Sequence, residues 1–223
     1  MKLPIILVNF KCYEAGTGEN ALKLAKICDS VARDCKKSIA VSPQFCDIYS
    51  VSKEVDIPVF SQHIDPIEPG SHTGHVLPLS VKDAGAVGTL INHSERKLTL
   101  NEIKKRVDIA KKYDLITICC SGDIEDSKNI ANFDPDFIAY EPPELIGTGI
   151  PVSKTKPEVV SNTVKEVKKI NPRVKVLCGA GITNGEDVKK AIELGTVGVL
   201  LASGVVKAES PREVLENMAK SLR

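Results

Sequence analysis

Short apolar runs rich in valine and isoleucine recur along the chain, and each gives way to a longer segment in which apolar residues return every three or four positions. The runs predict strands near Ile5–Asn9, Ser38–Ser42, Pro58–Gln62, Val87–Asn92, Leu115–Ser121, Asp136–Glu141, Val174–Gly179 and Val197–Ala202, eight in all. Between them lie amphipathic segments such as Ala21–Lys37 and Leu100–Tyr113; in the second, Ile103, Val107 and Ala110 share one face with lysine and glutamate opposite. The runs lack apolar/polar alternation, which is what parallel strands covered on both faces require. Eight βα units predict an α/β protein, a closed (β/α)8 barrel. A doubly wound open sheet has the same periodicity, but the polar residues decide between the two. Asn9, Gln62, His93, Glu141, Gly181 and Ser203 fall at or just after strand carboxyl ends around the whole series. In a barrel those ends form one mouth; in an open sheet most would lie far apart.

Composition adds limits. At 223 residues, with 42% hydrophobic and 26% charged residues, the chain is expected to form a single barrel domain over 1–223. A formal net charge of +1 provides no field for nucleic acid or an acidic membrane, and no apolar stretch is long enough to span a bilayer. Any anionic ligand must therefore be held by local groups. The opening MKLPIILVNFK is short, has Pro4 at its entry and lacks a cleavage site, so it reads as the first strand rather than a signal peptide. Seven cysteines form an odd set without CxxC spacing, which points to a reduced, cytoplasmic protein. Cys12 beside Lys11 is read as a small buried hydrophobe in preference to a reactive thiol.

Chemistry gathers at the strand ends. Glu141 closes one strand and is followed by Pro142-Pro143 and then Ile146-Gly147-Thr148-Gly149, a stiff-to-flexible sequence suited to a lid behind a carboxylate base. His93 ends another strand and leads into Ser94, Glu95 and Arg96, while Asn9 and Lys11 supply a neutral donor and a cation at the first. Taken singly, each has a plainer reading: a Gly/Pro turn, a satisfied interior histidine, a surface lysine. Together they provide a base, a proton donor and a cation for developing negative charge. The last two units end in CGAGI and LLASG, where small residues admit backbone N–H groups to a ligand, as phosphate loops do. Neither has GxGxxG spacing, so a small phosphomonoester is expected in place of a dinucleotide. His72 and His75 have HxxH spacing without a carboxylate cluster, and no metal is expected.

These motifs carry a resemblance that covers nearly the whole chain: VNFK, NHSERK, YEPPELIGTG and CGAGI with LLASG resemble, in order and spacing, those of the triosephosphate isomerase family, and the compact chain is similar to its archaeal branch. The resemblance implies interconversion of dihydroxyacetone phosphate and glyceraldehyde 3-phosphate without metal or organic cofactor. It implies Glu141 as base, His93 as electrophile, Lys11 as the stabilising cation and Asn9 as an orienting group. Glu95 becomes a supporting carboxylate, and Ile146, Gly147, Gly181, Ala202 and Ser203 become phosphate contacts. Thr73, in the long irregular stretch His63 to Pro78, matches the residue that reaches a neighbouring subunit, so a homo-oligomer is implied, a tetramer in preference to a dimer. Departures from the family pattern include Phe10 and Cys12 around Lys11, Pro143-Glu144-Leu145 at the lid hinge, Gly181 in place of serine, and Ala202-Ser203 in place of two glycines. Other phosphate-binding barrels, such as a metal-dependent epimerase or a flavin oxidoreductase, and a noncatalytic phosphate-binding protein are the competing expectations.

Overall fold

The computed structural model describes residues 2–142, 155–179 and 181–222. Among them are eight parallel strands: β1 Ile5–Asn9, β2 Ser38–Ser42, β3 Phe60–Ser61, β4 Gly88–Ile91, β5 Ile116–Ser121, β6 Phe137–Tyr140, β7 Lys175–Cys178 and β8 Gly198–Leu201. Their order is β2-β1-β8-β7-β6-β5-β4-β3. The two ends of that series meet through a parallel bridge between Val41 and Val59, with the Val41 N–H donating to Pro58 O at 3.0 Å. The sheet thus closes on itself, and the open-sheet alternative falls. Strand β3 is shorter than the predicted Pro58–Gln62. Pro58 has no N–H to donate to a ladder, so its carbonyl makes the closing contact instead.

The strands are uniformly apolar because each separates two cores. Ile5, Leu7, Ala40, Phe60, Leu90, Ile118, Phe137, Ala139, Leu177 and Leu200 fill the barrel interior. Their strand neighbours, among them Ile6, Val8, Ile39, Val41, Ile91, Ile138 and Val199, pack outward against the helices. The period of two is therefore present, hidden because both faces are dry.

The helices are α1 Glu19–Cys35, α2 Ile48–Glu54, α3 Pro78–Asp83, α4 Leu100–Lys112, α5 Ile124–Ala131, α6 Pro157–Ile170, α7 Gly185–Glu193, α8 Ser203–Val206 and α9 Pro211–Ser221, counted among the described residues. Local sequence sets their limits. Proline opens α3, α6 and α9, where a missing N–H loses no bond. Thr99 and Glu102 form a reciprocal capping box that starts α4. Helix α1 ends at Cys35, short of the predicted Lys37, because Lys36 turns left-handed as its C-cap.

Candidate active site

The alternation inside the barrel determines which side chains enter its mouth. Counting two residues past the inward positions Leu7, Phe60, Ala139, Leu177 and Leu200 gives Asn9, Gln62, Glu141, Gly179 and Ala202. Three of these strand ends, Asn9, Glu141 and Ala202, line a cleft together with Lys11, His93, Gly181, Ser203 and Gly204. Every described candidate from the sequence is thus brought together there, except Glu95 and Thr73. Glu95 lines the adjoining groove with Lys11 and His93, and Thr73 is exposed in the loop between β3 and α3. Ile146 and Gly147 lie outside the described residues.

His93 follows Asn92, whose left-handed backbone (φ 62°) interrupts the strand alternation. Asn92 is fixed in that conformation, its amide donating to Cys120 O at 2.9 Å and its side-chain oxygen accepting the Leu98 N–H at 2.8 Å. The Glu95 backbone N–H then donates to His93 Nδ1 at 3.2 Å. A backbone N–H cannot accept, so Nδ1 carries the lone pair and the ring proton sits on Nε2. That nitrogen faces Glu141 Oε2 across 3.8 Å, beyond hydrogen-bond range. Glu141 Oε2 is buried and has no hydrogen-bond partner among the described residues. An unpartnered carboxylate oxygen and an N–H, separated by a gap, are what a proton-transfer site needs before its substrate arrives.

Lys11 also has a left-handed backbone (φ 50°). Its N–H donates to Asn9 Oδ1 at 2.9 Å, and its ammonium meets Glu95 Oε1 at 2.9 Å with only 12% of the side chain exposed. Glu95 therefore serves both partners, holding the cation with its carboxylate and the imidazole with its backbone. Opposite, Gly181 (φ 72°) turns the chain after β7, and α8 begins after Ala202. The first N–H groups of such a turn have no partner within it, and Ser203 and Gly204, which carry them, line the cleft. Gly204 lets the two loops touch: a Cβ there would lie 2.7 Å from Ile182 O.

Sequence reading missed two neighbours of the base. A Cβ on Gly179 would fall 2.2 Å from Glu141 Cγ, so the glycine is the floor on which Glu141 rests. Its signal was available, since Gly179 follows Leu177 by two on the strand beside β6. Cys120 is inward on β5; burial, with the Glu141 charge acting on it, pushes its thiol well above the ordinary range. Burial likewise pushes Cys28 and Cys178 up to about 12, so these thiols stay protonated. Cys12, in contrast with the reading of it as buried, is exposed, as is Cys46. His72 and His75 are exposed, and no cluster of three potential metal ligands occurs among the described residues.

A family model described as triosephosphate isomerase matches residues 4–220. The chain is 56% identical over 218 residues to a triosephosphate isomerase of Methanothermus fervidus, covering 98% of each protein. It is 54% identical to that of Methanosarcina barkeri, covering 99% of each, and 52% identical to that of Methanocaldococcus jannaschii, covering 97% of this chain and 99% of the relative.

Proposed function

The chain belongs to the triosephosphate isomerase family, and on that premise we propose that the barrel mouth interconverts dihydroxyacetone phosphate and glyceraldehyde 3-phosphate through an enediolate. The observation that carries the assignment of roles is the gap between Glu141 Oε2 and His93 Nε2. Glu141 Oε2, with no partner to satisfy it, takes a carbon-bound proton from the substrate and returns it to the neighbouring carbon. His93 donates its Nε2 proton to the oxygen on which charge develops and recovers one from the other oxygen. A histidine that acts in its neutral form is the established pattern of this family, and the Glu95 N–H on Nδ1 agrees with that pattern. Lys11 offsets the negative charge of substrate and intermediate, and Asn9 fixes the turn that presents it. Glu95 positions both Lys11 and His93.

The phosphate is held by backbone N–H groups around Gly181, Ala202 and Ser203, positions that tolerate the exchange of serine and glycine noted in the sequence because the donors are main-chain groups. Ile146 and Gly147, assigned phosphate contacts by resemblance alone, carry no step here. No cofactor or metal enters the scheme. The protein acts as one barrel domain in the cytoplasm, assembled as a homo-oligomer, a tetramer in preference to a dimer, with Thr73 at a subunit contact. Among the described residues no helix is long and apolar enough to cross a membrane.

The test is isomerase turnover with an enzyme-coupled readout, with Glu141→Gln as the comparison. The variant keeps shape and removes the base, so kcat should fall by roughly 10³-fold or more while the affinity for glycerol 3-phosphate, which shares the phosphate but has no carbonyl to make a carbon-bound proton acidic, changes less than about threefold. Loss of affinity with kcat retained would make Glu141 a binding group instead.

A further inference from the structure

We infer that Gln62 is a positioning residue for Lys11, holding the lysine's left-handed backbone from a different strand; the inference rests on the reading of Lys11 as the functional cation. Five non-glycine residues among those described have positive φ: Lys11, Lys36, Asn92, Asp114 and Asp134. Three are asparagine or aspartate, the side chains that tolerate this conformation, and Lys36 is a helix C-cap, where it is common. Lys11 has neither excuse. Its conformation persists only if its surroundings fix it from outside.

The N–H side is held locally by Asn9 Oδ1. The carbonyl side is held from β3, where Gln62 Nε2 donates to Lys11 O at 2.9 Å and to Ser42 O at 3.1 Å. Ser42 O, at the end of β2, also accepts the Phe10 N–H at 2.9 Å. Both hydrogens of one amide are therefore spent tying the turn after β1 to the ends of β2 and β3. Gln62 can do so because it lies two residues past Phe60, an inward position, and so enters the mouth. The carbonyls of Lys11 and Ser42 are acceptors alone, which requires a donor with two hydrogens in one plane; a carboxylate or a thioether at position 62 has none. Only with N, C=O and ammonium all fixed, the last by Glu95, is the charge placed to within the tolerance that catalysis demands, where an error of about 1 Å lowers rate roughly 10²-fold.

The experiment is a double-mutant cycle on kcat/KM. Gln62→Met keeps length and neutrality and removes the two donors. In the otherwise unchanged protein it should lower kcat/KM by roughly 10- to 100-fold. In a Lys11→Met background, where there is no ammonium left to misplace, it should change the residual turnover less than about twofold. Thermal midpoints and sedimentation are followed in all four proteins. A Gln62→Met loss of the same size in both backgrounds, or one that tracks loss of stability or assembly, makes Gln62 merely structural and overturns the inference. Full activity of Gln62→Met beside a crippled Lys11→Met overturns it as well and leaves the reading of Lys11 intact. Full activity of Lys11→Met overturns the inference together with that reading.

Discussion

A single methyl group at position 179 would reach the place that Glu141 occupies, with an added Cβ 2.2 Å from Cγ and 2.7 Å from Oε1. The constraint is one of room, since Gly179 is not among the positive-φ glycines and alanine suits its backbone. Gly179→Ala should therefore fold, push Glu141 off its floor and toward or past His93, and lower kcat by about 10²-fold or more. Its thermal midpoint should stay within a few degrees of the parent, a combination that circular dichroism melts and turnover assays on the same samples distinguish. If kcat is unchanged, the carboxylate has enough slack to make the glycine irrelevant. The same residue scale explains the division of labour at Glu95, whose carboxylate is 59% exposed. An exposed ion pair contributes little stability, so the Lys11–Glu95 contact matters for where the ammonium points rather than for holding the fold together.

At the scale of elements, the long loop between β3 and α3 is anchored by buried polar groups at its base. Asp65 pairs with Val76 twice, its N–H donating to Val76 O at 2.9 Å and its Oδ2 accepting the Val76 N–H at 2.8 Å. Arg106, reaching in from α4, donates to Ile64 O at 3.0 Å and to Asp65 Oδ1 at 3.2 Å, and His63 Nε2 lies 3.2 Å from the same oxygen. All three side chains are buried. Removing one member of such a group leaves the other charge without compensation, so Arg106→Met should destabilise the protein by about 3 kcal/mol, and adding Asp65→Asn should recover part of that loss. Melts at fixed protein concentration measure both. The cluster also sets a pH response. Desolvation holds His63 below its ordinary 6.5, against the opposing hydrogen bond to Asp65. The unfolded histidine therefore binds a proton at a higher pH than the folded one, and the stability tied to neutral His63 is present above about pH 6.5 and lost as pH falls through that window. For Asp65, desolvation raises the carboxyl, but the Val76 N–H, His63 and Arg106 outweigh it and hold it below 3.8. Its contribution is present above that value and lost on further acidification. A melting temperature that declines from pH 6.5 toward 5, with a shallower slope in His63→Asn, is the expected outcome; equal slopes in both proteins would assign the decline to other groups.

At the scale of the whole molecule, two aromatic side chains, Phe45 and Tyr49, stand exposed on the described surface. Phe45 and Tyr49 are 39% and 60% exposed, and Phe45 lines a groove of about 430 Å³ together with Cys12, Gln62 and Arg96. The loop that carries Thr73, between β3 and α3, is exposed. These features support the proposed assembly. Sedimentation equilibrium should report a species about four times the 24.1 kDa chain, and Thr73→Arg, which places a cation where a neutral side chain would be buried, should shift it to a smaller species with reduced turnover. A 24.1 kDa species with full activity would remove oligomerisation from the account.

Seven of the eight strands were legible within a residue of their ends because burial on both faces writes an unbroken apolar run, and β3 shrank most, where Pro58 cannot donate. The chemical groups were legible too, since Asn9, Lys11, His93 and Glu141 each stand at a strand end and strand ends in a barrel share one mouth. What the sequence by itself determined is thus the number and order of the βα units and the residue types they deliver to that mouth. The tertiary structure alone decided how those residues face one another: the left-handed turns at Lys11 and Asn92, the Gln62 amide that spans two strand ends, the Gly179 floor and the 3.8 Å gap between Glu141 and His93. The reason is physical. Periodicity records whether a side chain meets core or water, a property of one strand, whereas backbone strain and hydrogen bonds between loops depend on distances that exist only once the eight strands have closed.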